Sequence, residues 1–417
     1  MSFVFAAKFD PKAKKINGVD VYYLYDDYLP IISLNLAIKN AGFAFEEEGQ
    51  IGSNLIVNYL ASNLLFLGNE REYFSKEISS RNISFQVASD VENLFISVKF
   101  LRSDIELVQK FLKKFFYDFK VSDADIKRAK DHLEFSKKNS YLNSNFVGYQ
   151  NFKDSFFTDR FSRDGFLVEN NNLINKASIK YFVSSLANKN KLKIAISGDI
   201  KTDELDVFVN QIFADFKDIE SYDFYQPGIK NAYNANFELK DYDQIIFYSA
   251  IEGPSRNAKD FYSFYLWNHL IGGSQRNSLI GNKLREDEGL TYSGYSYVNF
   301  MQGIGYLVVY FACDMEKYYQ ALEVNEKMLA EIKRKEFSQQ DLELAKKYLT
   351  GKYDISFSSN DTISGFMLAL LLYDLPVSML NKRNEIINEI TIADINKMRK
   401  KLFFNNDFVT FVTGDLY

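Results

Sequence analysis

An internal duplication constrains the fold of this chain more than any other feature. Ser122-Asp-Ala-Asp-Ile-Lys-Arg-Ala-Lys130 recurs as Ser338-Gln-Gln-Asp-Leu-Glu-Leu-Ala-Lys346. The same shift along the chain carries Leu192-Lys-Ile-Ala-Ile-Ser-Gly-Asp199 onto Phe408-Val-Thr-Phe-Val-Thr-Gly-Asp415, so Gly198 falls on Gly414 and Asp199 on Asp415. Two separated matches in one register mean that one structural unit occurs twice.

Each copy of the first match opens with Ser and carries Asp three residues later, a helix-start capping signature followed by apolar residues at helical spacing. Each predicts a long helix. Around these helices the two halves run in the same order. A strand pair (Val19 to Lys39; Gln244 to Ala250) precedes a helix (Ser53 to Leu67; Lys259 to Ile271), and two alternating strands lead into the helical region. The expected fold class is α+β, two homologous halves that each pack helices on an antiparallel sheet. The expected domains are 1–220 and 237–417, joined by a connector at 221–236, where Pro227-Gly228 and Lys230-Asn-Ala-Tyr-Asn234 break the periodicity. A length of 417 residues suits two domains of about 200 residues each.

Composition removes several function classes. With 47% hydrophobic residues and only 5 prolines, the chain has the means for large cores and little tendency to disorder. A net charge of -5 without any basic block argues against a nucleic-acid footprint. The high aromatic content comes from Phe and Tyr, and is read as compositional bias. The lone Cys313 excludes an intramolecular disulfide and, at the end of the apolar run from Tyr306, reads as a small buried hydrophobe. The longest apolar runs, Tyr306 to Cys313 and Phe366 to Tyr373, fall well short of the roughly 18 residues of a membrane span. Val4 and Ala6 fit the small-residue rule of a signal-peptidase site, yet no charged n-region precedes them. A cytoplasmic location is therefore expected, with a periplasmic one as the alternative if this start is trimmed or misplaced.

A second informative segment is Gly272-Gly-Ser-Gln-Arg-Asn-Ser-Leu-Ile-Gly-Asn-Lys-Leu-Arg285-Glu-Asp-Glu-Gly289-Leu-Thr-Tyr292-Ser293. Arg285 falls in the last turn of a helix that Gly289 terminates, and Tyr292 begins the next strand. A guanidinium and a phenol converging there can donate hydrogen bonds to a peptide carbonyl, and more strongly to an oxyanion. The plainer alternative is a solvated helix end and a half-buried strand tyrosine. The segment resembles the C-terminal-half signature of the M16 (pitrilysin/insulinase-like) metallopeptidases, with its Gly-Gly loop, Ser-rich helix, Leu-Arg-Glu, Gly-Leu and Tyr-Ser. It departs from that pattern at Leu279, where the family usually has a second arginine. The resemblance implies that Arg285 and Tyr292 act from the half opposite a zinc ion, and that Gly272, Gly273 and Ser274 touch substrate.

An active member of that family carries His-x-x-Glu-His, whose imidazoles at i and i+4 share one helix face and hold zinc while the Glu polarises its water. Here the matching helix reads Ser53-Asn54-Leu55-Ile56-Val57-Asn58-Tyr59, with Asn54 and Asn58 at the histidine positions and Val57 at the general base. Glu134 lies near the place of the third ligand. The only histidines, His132 and His269, cannot rebuild a site at i, i+4 spacing. The resemblance therefore implies a zinc-less, non-catalytic subunit that binds no cofactor itself. Its expected partners are a zinc-bearing M16 homologue or a second copy of the chain, and an unfolded peptide as substrate, without nucleic acid or membrane span. The alternative is a non-proteolytic scaffold or peptide-binding protein descended from a peptidase.

Overall fold

A computed structural model describes residues 10–158, 160–163, 174–220, 227–230, 234–239, 242–274 and 278–416. The start containing Val4-Phe5-Ala6, and most of the connector 221–236, lie outside the described residues.

The duplication appears directly in the strand order. In the first sheet β1 (Lys12–Ile16), β2 (Val19–Tyr25), β3 (Ile31–Ile38), β4 (Ser84–Ser89), β5 (Leu94–Leu101) and β6 (Leu192–Gly198) lie in the order β1-β2-β6-β3-β5-β4. In the second, β7 (Ala235–Glu238), β8 (Gln244–Gly253), β9 (Gly294–Met301), β10 (Ile304–Asp314) and β11 (Val409–Gly414) lie in the order β7-β11-β8-β10-β9. Apart from the extra β1, the two orders are one topology used twice. All pairings are antiparallel except β2 with β6 and β7 with β11, which are parallel and occupy equivalent places. The strands on either side of the first loop thus do not pair with each other; the last strand of each half inserts between them.

Helices of the first half are α1 (Ser53–Ser62), α2 (Arg71–Ser80), α3 (Ile105–Tyr117), α4 (Asp123–Ser140), α5 (Ser144–Phe156), α6 (Lys176–Ser185) and α7 (Thr202–Phe213). Those of the second are α8 (Phe261–Asn268), α9 (Leu279–Gly281), α10 (Tyr318–Arg334), α11 (Gln339–Ser356), α12 (Asn360–Leu372), α13 (Met379–Glu389) and α14 (Ile392–Leu402). The repeated capping signature does what its chemistry requires. Asp125 Oδ2 accepts from Ser122 N–H at 3.3 Å while Ser122 Oγ accepts from Asp125 N–H at 3.1 Å, and Ser338 with Asp341 repeats the exchange at 2.9 and 3.1 Å. Helix α1 stops at Ser62, short of Leu67, because Leu64 takes a left-handed conformation (φ 55°).

The chain forms two compact units, and each draws on both halves of the sequence. The first comprises Met1–Lys137, Arg163–Phe224 and Asp354–Lys382; the second comprises Lys138–Ser162, Tyr225–Tyr353 and Arg383–Tyr417. In the first unit α12 lies across β2, β6 and β3, burying Ile363, Met367 and Leu371 against Leu24, Ala37 and Ala195. Its register is pinned by Asn35 Nδ2 donating to Ser364 Oγ (2.7 Å) and Ser197 Oγ donating to Asn360 Oδ1 (2.6 Å). In the second unit α5 takes the equivalent place on β11 and β8, with Phe152 stacked on Tyr248 and Gly148 set close against Ile246. The other face of each sheet is covered by its own half's helices, which form the main core of that unit. Among the described residues no single helix is long and apolar enough to cross a membrane. The apolar character of α12 is accounted for by its burial.

Candidate functional site

The helix that would carry a zinc motif is α1, and its N-terminus is built around a carboxylate. Glu46 accepts Gly52 N–H at 2.9 Å and Asn54 N–H at 2.7 Å, satisfying two of the donors a helix start leaves open. Asn54 is fully buried, and its Oδ1 accepts the Ser89 hydroxyl from β4 at 2.8 Å. Asn58, one turn on, fits its neighbours with Oδ1 accepting Ser89 N–H at 3.2 Å and Nδ2 donating to Asn54 O at 3.3 Å. Val57 belongs to the apolar core of the first unit. Glu134 is exposed on α4, whereas Asn54 is sealed beneath Ser89 and Glu46.

These residues do not fit zinc. Two carboxamides engaged with a serine and one carboxylate on a solvent face lack the His, Cys or carboxylate set that the ion takes. Among the described residues no group of three or more His, Cys, Asp or Glu is placed to hold a metal ion. Neither histidine supplies what is missing. His132 of α4 packs at a tilt against Tyr59 of α1, ring centroids 4.7 Å apart. His269 stacks on Tyr348 of α11 at 4.9 Å, and burial, with Lys352 nearby, lowers its pKa to about 4. The duplication shift carries His132 onto Tyr348. Each half therefore places one imidazole and one phenol at the same helix junction, with the partners exchanged.

The second cluster is open to solvent. Helix α8 continues as a π-helical turn, His269–Gly273, so the two glycines lie within helical backbone. Gly272 is buried against β9, Gly273 is exposed, and Ser274 lines a cavity of about 860 Å³ together with His269, Leu279, Phe337 and Tyr348. Residues 275–277 lie outside the described residues. Arg285 sits on a second π-helical turn, Asn282–Asp287, which Gly289 ends at φ +58° while Leu290 N–H returns to Leu284 O at 2.8 Å. Its guanidinium is exposed and pairs with the neighbouring Glu286 at 3.4 Å. Tyr292 lies before the strand rather than in it, at the tip of a turn in which Thr291 Oγ1 accepts Ser293 N–H. It is 96% exposed. Arg285 and Tyr292 flank one helix-to-strand connection, but no hydrogen bond joins them and both side chains face solvent.

A family model described as the peptidase M16 inactive domain matches residues 174–349. Over that stretch the chain is similar to the M16 inactive domain. It is 21% identical to a Helicobacter pylori protein named non-peptidase homolog YmxG, over 95% of this chain and 90% of that one. A Bacillus subtilis protein named uncharacterized zinc protease YmxG is 26% identical, over 39% of this chain and 40% of its own. Among solved structures, a peptidase M16 inactive domain from Pseudomonas fluorescens has the same fold, with a TM-score of 0.88 at 20% identity, covering 97% of this chain and 98% of that one. A protease from Helicobacter pylori matches with a TM-score of 0.83 at 12% identity, over 97% of this chain and 99% of that one.

Two residues that tie down the start of α1, Glu46 and Ser89, were not singled out from sequence. The run Glu46-Glu47-Glu48 just ahead of α1 is the signal that marks acid at a helix start. Burial pushes the Glu46 carboxyl up to about 7, against the Asn54 and Gly52 N–H bonds, which pull it down. A carboxyl whose folded pKa lies above its unfolded value makes folding less favourable as pH rises from about 4.5 through 7, and the full penalty, about 3 kcal/mol, applies above that range. Glu46→Gln is therefore expected to raise Tm at pH 8 relative to wild type, and to lose that advantage at pH 4.5. Paired thermal melts at the two values check it, and an advantage independent of pH would refute it.

Proposed function

We propose that this chain is the non-catalytic subunit of a zinc-dependent peptidase, binding no zinc itself and lending Arg285 and Tyr292 to a zinc-bearing partner. The observation that carries this reading is a contrast within one chain. The zinc positions are closed by Asn54, Asn58 and Ser89, while Arg285 and Tyr292 stand exposed on either side of the Gly289 turn. In the partner, zinc would supply the activated water. From this chain the guanidinium and phenol would donate hydrogen bonds to the carbonyl oxygen of an extended peptide. Such donors act mainly as negative charge develops on that oxygen, so they govern turnover more than binding.

The test mixes the chain with a homologue bearing an intact His-x-x-Glu-His helix and measures both assembly and peptide hydrolysis. Arg285→Lys keeps the charge but loses the planar fork, and Tyr292→Phe removes only the hydroxyl. Each is expected to lower turnover by about 10² to 10³ with assembly unchanged. Normal hydrolysis by both variants would defeat the reading. A scaffold without part in proteolysis is the second reading, favoured by the name non-peptidase homolog on the relative aligned over 95% of the chain. It predicts that wild-type chain leaves the homologue's activity unchanged.

A further inference from the structure

The second sheet carries a row of aromatic rings that the fold itself does not require. Phe411 pairs with Tyr248, Tyr248 with Tyr310, and Tyr310 with Tyr295, so one residue from each of β11, β8, β10 and β9 stands in line on the same face. Ring centroids are 5.1 Å apart from Tyr248 to Tyr310 and 5.1 Å from Tyr310 to Tyr295, close enough for aromatic contact. Tyr297 stands two residues along β9 on the same side, 6.2 Å from Tyr295, and Tyr149 of α5 lies 6.0 Å from Tyr248. The row begins under α5, where Phe152 covers Tyr248, and ends half-buried on β9, the last strand of the sheet.

The first sheet has the same row with different chemistry. Ala195, Asn35, Ser97 and Gln86 occupy the matched places across β6, β3, β5 and β4. Ala88 takes the place of Tyr297, and Gly365 of α12 that of Tyr149. There Asn35 bonds to Ser364 and Ser97, closing the row on itself. In the second sheet only the Tyr310 hydroxyl has a protein partner, Asn145, and those of Tyr149, Tyr248, Tyr295 and Tyr297 bond to no described residue. Small polar residues suffice to build this lattice. Five tyrosines in their place supply electronegative ring faces, and four of them supply hydroxyls with no partner among the described residues.

We infer that this tyrosine row is a binding platform for an extended peptide presenting arginine or lysine side chains. The protein already uses one ring in this way, with Lys153 Nζ 5.3 Å from the centre of Tyr149. No acidic or basic side chain stands in the row itself, so its ring faces attract cations, and the chain's net charge of -5 acts in the same direction at long range. A nucleic acid would need cations to neutralise its phosphates, which the row does not offer. This inference rests on the reading of the chain as a peptide-binding subunit and names the class of peptide.

The test needs no partner subunit. A fluorescein-labelled unstructured peptide of Gly, Ser and Arg, and its twin with Glu in every Arg place, are titrated against the full chain by fluorescence anisotropy. The Arg peptide is expected to bind and the Glu twin not. Tyr295→Leu with Tyr297→Leu should raise Kd about tenfold, while Tyr295→Phe with Tyr297→Phe, which keeps the rings, should change it about threefold or less. Thermal melts establish that both doubles are folded. Equal affinity for the two peptides on the wild-type chain, no binding of the Arg peptide, or an unchanged Kd in a folded Leu double would each overturn the proposal. Loss of the Arg285 and Tyr292 effect on turnover would leave these affinities untouched, so the two readings fail separately.

Discussion

Residues 1–220 produced without the rest of the chain are expected to give no cooperative thermal transition, and residues 227–417 likewise. Co-expression of the two pieces should restore one. The reason is the provenance of α12 and α5. Without α12 the first sheet exposes Leu24, Ala37 and Ala195, and the buried face of Ile363, Met367, Leu368 and Leu371 is lost with it. At about 1.5–3 kcal/mol for each large apolar side chain, that loss of about 6–12 kcal/mol is comparable to the whole net stability of a typical domain, about 5–15 kcal/mol. The second sheet loses Phe152 and Phe156 of α5, both almost fully buried. Near-UV circular dichroism and thermal melts on the pieces alone and together provide the measurement. A sharp melt from 1–220 by itself would mean that its own helices can cover the sheet.

Gly272→Ala is expected to damage folding, whereas Gly273→Ala should leave it nearly intact. A Cβ on Gly272 would stand 2.3 Å from Ser296 Oγ and 2.6 Å from Ser296 N, and the hydroxyl cannot simply swing aside because it donates to Asn268 Oδ1 at 2.7 Å. At Gly273 the nearest atom is Asn268 Nδ2 at 3.1 Å, and the residue is exposed. Overpacking of this kind costs about 1–3 kcal/mol or more, which for a unit of this size lowers Tm by roughly 2–4 °C per kcal/mol. Comparing melts of the two variants separates the glycines. A Gly272→Ala chain melting with wild type would mean that β9 gives way, and that the glycine serves something other than packing.

The duplicated topology was legible because its signals are local. Ser122 with Asp125 and Ser338 with Asp341 announce helix starts, and the paired Gly-Asp strand ends announce one register. The exchange of α5 and α12 was not legible, since an apolar helix face does not state which sheet it will cover. The insertion of β6 between β2 and β3 was equally hidden, because strand neighbours in sequence read as neighbours in space. At the start of α1, the absence of a His-x-x-Glu-His motif could be read from residue identity alone. Ser89 could not, because its contact with Asn54 is made across the fold. The tyrosines of β8, β9 and β10 look like compositional bias one at a time; only the strand register lines them up.

The trade of helices also bears on which changes this chain can tolerate. The N-terminal half owns α5, on which the other half's sheet depends, and the C-terminal half owns α12, which covers the first sheet. A deletion that discarded either half would strip the sheet of the one that remained. Point substitutions can alter what a half does, but neither segment can be dropped by itself.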